Sequence, residues 1–437
     1  MTKVAVLTLG CSKNLVDAEY MLGMLKNGGF SLTAEESEAD VIIVNTCCFI
    51  NDAKQESIDA ILEAAKQKQE GKCKNLIVTG CLAQRYKEEI TEQIPEVDKV
   101  VGVGHINDIL LAANGGGKKV YCENPYSHPV SERLRQAPEY SAYLKIADGC
   151  DNNCTYCIIP YIRGGFLSRP IDRLVSEAKQ FAAEGVTELI LIAQDTASYG
   201  VDLYSEPQLE LLLEKLCEID GIRWIRLLYC YPERITDTLI DLIAKKDKIC
   251  KYLDIPIQHC NDEILRKMGR KTTKAQIENI ISKVRAKIPN ITLRTTLITG
   301  FPGETNEQCN QMASFIKRMK FERLGIFPYS QEEGTPAAKL KGQISEKTKA
   351  ARLEKLMLIQ QQVAAEVSKS KIGSTITVLC TGYDPCVKLY YGRSEADSPE
   401  IDGMVFYASS QETAPGQFVK VKITDAEEYD LFGEALL

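Results

Sequence analysis

Apolar and polar positions along residues 3–112 repeat in a strand-then-helix order. Residues 3–9 read as a buried strand. Residues 14–26 read as a helix with Leu15, Ala18, Leu22 and Leu25 on one face. Further apolar runs at 41–45 and 76–79 are each followed by a helical pattern (52–68 and 83–93), and 97–101 reads as a fourth strand. This alternation predicts an open parallel sheet with helices on both faces. The run Asn114-Gly-Gly-Gly-Lys-Lys119 breaks it, and 124–138, with three prolines and mixed charge, reads as a linker.

A second alternating region follows. Strands are predicted at 142–147, 188–193, 224–229, 252–257, 292–298 and 323–327, with helices such as 174–184 and 209–218 between them. Six β/α units in a row predict a full or partial parallel barrel, whose chemistry would sit at the C-terminal strand ends. Residues 345–370 read as a long helix. Beyond it, short β-rich runs at 375–380, 404–408 and 417–424 predict a small all-β barrel or sandwich. The expected architecture is α/β in four parts: a sheet domain over 1–118, a linker over 119–135, a (β/α)6-type barrel over 136–367 and a β domain over 368–437.

Composition changes little until cysteine is counted. Of 437 residues, 44% are apolar and 26% charged, which excludes a disordered or collagen-like chain. No apolar run approaches the ~18–20 residues needed to span a bilayer. The opening MTKVAVLTLGC carries a strand-length apolar run rather than a signal peptide, so a cytoplasmic protein is expected. Sixteen cysteines against three histidines (His105, His128, His259) then point to thiolate metal ligands in a reducing compartment.

Two cysteine patterns stand out. Cys150-Asp-Asn-Asn-Cys154-Thr-Tyr-Cys157 places three thiols in eight residues directly after a predicted strand. A 4Fe-4S cluster normally takes four cysteines, so three leave one iron open to a small molecule; zinc, the competing metal, usually wants four ligands in paired spacing. The second pattern is dispersed. Cys11, Cys47 and Cys81 each follow a predicted strand, 36 and 34 residues apart, close to one β/α unit. Successive parallel strands line up their C-terminal ends along one edge, so these three should converge into a second open cluster site. Cys48, beside Cys47, leaves that ligand's identity unsettled. The remaining nine (Cys73, Cys122, Cys217, Cys230, Cys250, Cys260, Cys309, Cys380, Cys386) share no spacing and read as structural.

The C-x3-C-x-aromatic-C arrangement, with Tyr156 as the aromatic, resembles the radical S-adenosylmethionine (SAM) enzymes. In that family the open iron chelates SAM, and electron donation cleaves it to methionine and a 5′-deoxyadenosyl radical. Together with the three-cysteine sheet domain and the small β domain, in the place of a TRAM domain, the whole chain resembles the methylthiotransferases. Leu9-Gly-Cys-Ser-Lys-Asn14, Asn45-Thr-Cys47, Gly80-Cys81, Ile158-Ile-Pro160 with Arg163-Gly164, and Gly300-Phe-Pro-Gly-Glu304 carry the likeness. Gly10–Glu19, Ser168-Arg-Pro170 through Gln194-Asp-Thr196, Tyr199-Gly-Val201 and Tyr429-Asp-Leu-Phe-Gly433 resemble the RimO branch. That branch modifies the β-carbon of an aspartate in small-subunit ribosomal protein twelve, giving 3-methylthioaspartate. The resemblance implies two 4Fe-4S clusters, SAM, and a reductant such as flavodoxin or ferredoxin.

Charge supplies independent evidence on the branch. Of the chain's net −7, residues 371–437 carry −6, from 5 Lys+Arg against 11 Asp+Glu. An RNA-binding module needs a basic face, so this balance argues against direct RNA binding and for a basic ribosomal protein partner. The transfer-RNA branch (MiaB-like) and, from another class, a two-cluster electron-transfer protein remain the alternatives. Candidate SAM contacts are Gln194 and Asp195 after the second barrel strand, Gln258 after the fourth, and Ile298 and Gly300 at the end of the fifth. Arg294 is a further candidate SAM contact: it could bind a carboxylate, SAM's or the substrate aspartate's, or else form an internal ion pair; His259 could reach SAM or simply pack.

Overall fold

The computed structural model describes residues 1–123, 128–129, 132–136 and 138–436, which form two compact units. The first comprises 1–137, 147–169 and 330–338. Its sheet contains β1 (Lys3–Thr8), β2 (Ser31–Leu32), β3 (Val41–Thr46), β4 (Asn75–Gly80), β5 (Lys99–Gly102) and β6 (Val120–Tyr121), in the spatial order β2-β1-β3-β4-β5-β6. Every pairing is parallel. β3 and β4 are buried along their full length, which is why they read as unbroken apolar runs rather than alternating ones. The two-residue strands β2 and β6 are too short to leave a period in the sequence.

Two expectations need correction here. The single helix predicted over 83–93 is two helices, Cys81–Tyr86 and Glu88–Gln93, because Lys87 turns to φ +43°. Glu88 and Glu89 thereby sit in the first turn of the second helix, where negative charge suits the helix dipole. The range read as a linker opens with strand β6, and residues 132–136 are held against the helix Ser12–Asn27. Leu134 N–H donates to Glu19 O at 3.0 Å, and Arg133 pairs with the buried Glu19 carboxylate at 2.7 Å. Residues 124–127, 130 and 131 of that range lie outside the described residues.

The chain then forms β7 (Ser141–Lys145) in the second unit. It returns to the first as β8 (Ala147–Asp148), which pairs antiparallel with β9 (Leu167–Ser168). The strand predicted over 142–147 is thus two strands in two sheets.

The second unit comprises 138–146, 170–329 and 339–437. β7, β10 (Glu188–Ile192), β11 (Trp224–Leu227), β12 (Ile249–Asp254), β13 (Thr292–Thr299) and β14 (Arg323–Pro328) lie side by side in chain order, all parallel. β14 does not pair with β7, so the barrel is partial. Capping boxes at Thr273–Gln276 and Thr305–Gln308 start two of its helices. The long helix Glu346–Lys369 follows, capped by Ser345. β15 (Thr375–Asp384), β16 (Leu389–Ser394), β17 (Val405–Ala408), β18 (Phe418–Ala426) and β19 (Leu431–Ala435) then close into a small barrel. Sequence reasoning missed β16 and β19. Each carries a glycine, Gly392 or Gly433, where a side chain would strike the neighbouring strand's carbonyl, and glycine weakens the strand signal.

The small barrel is tied to the first residues of the partial barrel by charge. Glu188, fully buried at the start of β10, pairs with Arg226 at 3.1 Å and Arg393 at 2.6 Å. Arg323 pairs with Asp397, and Tyr252 donates to Asp402 at 2.7 Å. Asp397 and Asp402 are therefore occupied internally, and part of the −6 of this domain does not face solvent. No helix among the described residues is long and apolar enough to cross a membrane.

Candidate iron–sulfur site and barrel rim

Cys11, Cys47 and Cys81 follow β1, β3 and β4, which are adjacent in the sheet. The register pairs Thr8 with Asn45 and Thr46 with Gly80, so the three chains leave the sheet at one edge. Cys11 is the N-cap of the helix Ser12–Asn27 and Cys81 opens the helix Cys81–Tyr86, where the dipole favours a thiolate. A side chain at Gly10 (φ +88°) would meet Cys47 Sγ at 2.9 Å, and one at Gly80 (φ +92°) would meet Asn45 Oδ1 and Thr46 O at 2.5 Å each. The glycines before Cys11 and Cys81 are thus required by close approach.

Two asparagines tie these loops. Asn14, fully buried, donates through Nδ2 to Thr46 O at 2.7 Å and Leu9 O at 3.0 Å. Asn45 Nδ2 returns a bond to Asn14 O at 2.8 Å. Ser57 clasps Cys47, accepting from its N–H at 2.9 Å and donating to its carbonyl at 2.8 Å. None of these was read as functional, although a polar Asn45 inside an apolar strand was a visible signal. Cys48 is fully buried in the sheet's apolar core, whereas Cys47 lies against Gly10.

Cys150, Cys154 and Cys157 sit on the loop after β8, in the same unit. Cys150 N–H donates to Gly164 O at 3.1 Å, Cys157 N–H to Cys154 O at 3.0 Å, and Asn152 Nδ2 to Cys150 Sγ at 3.5 Å. Asn153 takes φ +52°, which turns the chain between the first two cysteines. Ala337 N–H donates to Thr155 O at 2.8 Å, so the segment 330–338 braces the loop. That segment is itself held by Glu332, which pairs with Arg85 and Lys54 at 3.0 Å each.

Burial raises the Cys47 and Cys81 thiols, with Arg163 partly offsetting it at both, and pushes Cys157 up to about 12, with Cys154 and Cys150 as like-charged neighbours. Such thiols ionise when a metal cation replaces the proton. Among the described residues no cysteine forms a disulfide. Among the described residues no three His, Cys, Asp or Glu side chains converge on a single-ion position. A cubane takes one thiolate per iron, so its ligands stand farther apart than those of one ion. The all-thiol donor sets fit such a cluster.

At the rim of the partial barrel, in the second unit, Asp195 is buried and accepts from Ser198 Oγ at 2.6 Å; Gln194 precedes it at the end of β10. Gln258 (φ +70°) bridges to β13: its N–H donates to Thr296 O and its carbonyl accepts from Ile298 N–H at 2.7 Å. Ile298 shares the less buried face of β13 with Arg294 and Thr296. Gly300 N–H donates to Glu304 Oε2 at 2.9 Å. Glu304, the last residue of the Gly300–Glu304 motif, also binds Arg352 at 2.9 Å and lies 3.5 Å from His259 Nε2. His259 is fully buried, and its Nδ1 accepts from Asn261 N–H at 3.0 Å. Arg294 pairs with Asp254 at 3.0 Å and stands 3.7 Å from Asp402, so of its two readings the geometry is that of the internal ion pair.

Three family models match successive parts of the chain. Residues 3–102 match the model described as uncharacterized protein family UPF0004, 144–316 the radical SAM superfamily, and 372–436 the TRAM domain. The radical SAM methyltransferase TsrM from Kitasatospora setae shares the fold, with TM-score 0.57 at 14% identity over 77% of each chain. The ribosomal protein uS12 methylthiotransferase RimO of Lachnoclostridium phytofermentans is 52% identical over 99% of this chain and 100% of its own. That of Clostridioides difficile is 49% identical over 100% of this chain and 99% of its own. The chain belongs to the RimO family of radical-SAM methylthiotransferases.

Proposed function

We propose that this chain is the enzyme that places a methylthio group on the β-carbon of an aspartate in ribosomal protein uS12. The observation that carries the reading is the pair of cysteine triads: three thiols on one loop and three at adjacent strand ends, within one compact unit. In this reading Cys150, Cys154 and Cys157 hold the SAM-cleaving 4Fe-4S cluster. Cys11, Cys47 and Cys81 hold the auxiliary one. When bound, the clusters and SAM supply the electron, the hydrogen-abstracting deoxyadenosyl group and the methyl and sulfur chemistry. Gln194, Asp195, Gln258, Ile298 and Gly300 are proposed to contact SAM; Arg294 is left out because it is already paired.

The chain's own contribution is placement. Gly10 and Gly80 let backbone approach the auxiliary site, Asn14 and Asn45 fix its three loops, and the helix starts at Cys11 and Cys81 favour thiolate. The working division is 1–118 for the auxiliary domain, 119–135 as connector, 136–367 for the radical SAM barrel and 368–437 for a TRAM-like domain. The protein would act in the cytoplasm with flavodoxin or ferredoxin as electron donor.

The acidic end supports a basic protein substrate over transfer RNA. Asp425 and Glu427 are exposed and Glu428 half-buried, while Asp430 spends an oxygen on Met404 N–H at 2.7 Å. The deciding experiment offers uS12 and transfer RNA in parallel to reconstituted enzyme and looks for a methylthio group by mass spectrometry. Modification of RNA alone would overturn the reading. Absence of 5′-deoxyadenosine on adding SAM to reduced protein would leave an electron carrier.

A further inference from the structure

A buried cation stands beside the auxiliary triad. Arg163 closes the helix Ile159–Arg163, and its side chain is 1% exposed. Its nitrogens divide between two sets of partners. Nη1 meets Asp148 Oδ2 at 2.7 Å and Asp17 Oδ2 at 3.0 Å, while Nη2 donates to Asn14 Oδ1 at 2.7 Å and to Cys81 Sγ at 3.6 Å. Guanidinium does not lose its proton in proteins, so the charge is permanent. Two carboxylates already outweigh it, so charge neutralisation alone does not explain why Nη2 faces a sulfur. Asn14, clamped by Leu9 and Thr46 carbonyls, aims that nitrogen. Asp148 lies two residues before Cys150, so one guanidinium links the start of the Cys150 loop to Cys81.

We propose that Arg163 is a positioning residue that raises the reduction potential of the auxiliary cluster through its contact with the Cys81 sulfur. The inference rests on the assignment of Cys81 as a ligand of that cluster. Reduction adds one electron, taken from an external low-potential donor, and one negative charge to the cluster. A fixed cation at hydrogen-bond distance stabilises the reduced form more than the oxidised one. Asp148 and Asp17 act in the opposite sense and hold the guanidinium in place. No proton moves in this step.

The test uses the full chain carrying C150A, C154A and C157A, so that a single cluster reports. Its potential is followed by EPR-monitored titration with Arg163 intact and in R163Q, R163K and D148N. R163Q should lower the reduced-to-oxidised ratio at fixed potential about tenfold, a shift of ~59 mV for one electron. R163K should recover most of it, and D148N should shift the potential upward. Potentials that agree within about twofold in that ratio across all four chains overturn the proposal, as does R163K shifting as far as R163Q. Should R163Q assemble no cluster, R163K and D148N decide by the same criteria. Adding C11A, C47A and C81A to the background separates the two readings. A persisting signal defeats the ligand assignment, whereas a lost signal with unmoved potentials defeats only the role of Arg163.

Discussion

The two cysteine triads are assembled by opposite routes. Cys150, Cys154 and Cys157 lie within eight residues on one loop, so chain connectivity alone keeps them together. Cys11, Cys47 and Cys81 are up to 70 residues apart and meet only because β1, β3 and β4 are neighbours in a parallel sheet. The local triad therefore depends on few partners outside its loop, such as Gly164 O and Ala337 N–H. The dispersed one depends on every contact that fixes strand ends: Asn14, Asn45, Ser57 and two glycines. A local site is tuned by its loop, and a dispersed site by the sheet.

The largest expected effect separates the triads by substitution. C150A/C154A/C157A should abolish 5′-deoxyadenosine formation and leave about one cluster's iron per chain. C11A/C47A/C81A should still cleave SAM but yield no methylthio product on uS12. Iron analysis, chromatography and mass spectrometry check each in turn. If both triple variants lose SAM cleavage, the two sites are not separable.

Next, E188Q tests whether damage in the second unit spares both triads. Removing one partner of a buried ion pair should cost ~3–5 kcal/mol in denaturant unfolding, with iron content unchanged. Burial opposes ionisation of Glu188, but Arg393 and Arg226 override it and hold the carboxyl at about 2. The unfolded value is about 4.3. The pair's stabilisation is therefore complete above that value and lost as pH falls toward 2, and E188Q should flatten this acid limb.

Asn14→Ala sharpens the contrast at smaller cost. It removes hydrogen bonds to Leu9 O, Thr46 O and Arg163, each worth ~1 kcal/mol. Auxiliary iron should fall while SAM cleavage persists; equal loss from both sites would erase the local-versus-dispersed distinction.

The smallest effect concerns substrate capture. D425N/E427Q/E428Q should lower kcat/KM for uS12 and flatten its salt dependence, since exposed charges contribute only ~0.2–1 kcal/mol each and mainly steer association. SAM cleavage without substrate should not change. An unchanged salt slope would show that this surface serves solubility alone.

The closeness of Cys150, Cys154 and Cys157 was legible in the sequence, because spacing within one loop needs no fold. The strand-end triad was legible once the β/α period was seen, since parallel strands with similar spacing must end on one edge. What the chain could not show was which charges would find each other across distance. Arg163 beside Cys81, Glu304 between Gly300 and Arg352, and Asp402 against Arg294 join residues up to 108 positions apart. Nor could it show that acidic residues of the last domain would be drawn inward onto Arg323 and Arg294. Hydrophobic period and spacing within a loop are properties of neighbouring residues, so sequence determined most of the elements, the grouping of Cys150, Cys154 and Cys157, and the place of Cys11, Cys47 and Cys81 after strands. The partner of a buried charge depends on which surfaces the packed elements bring together, and that only the tertiary structure decided.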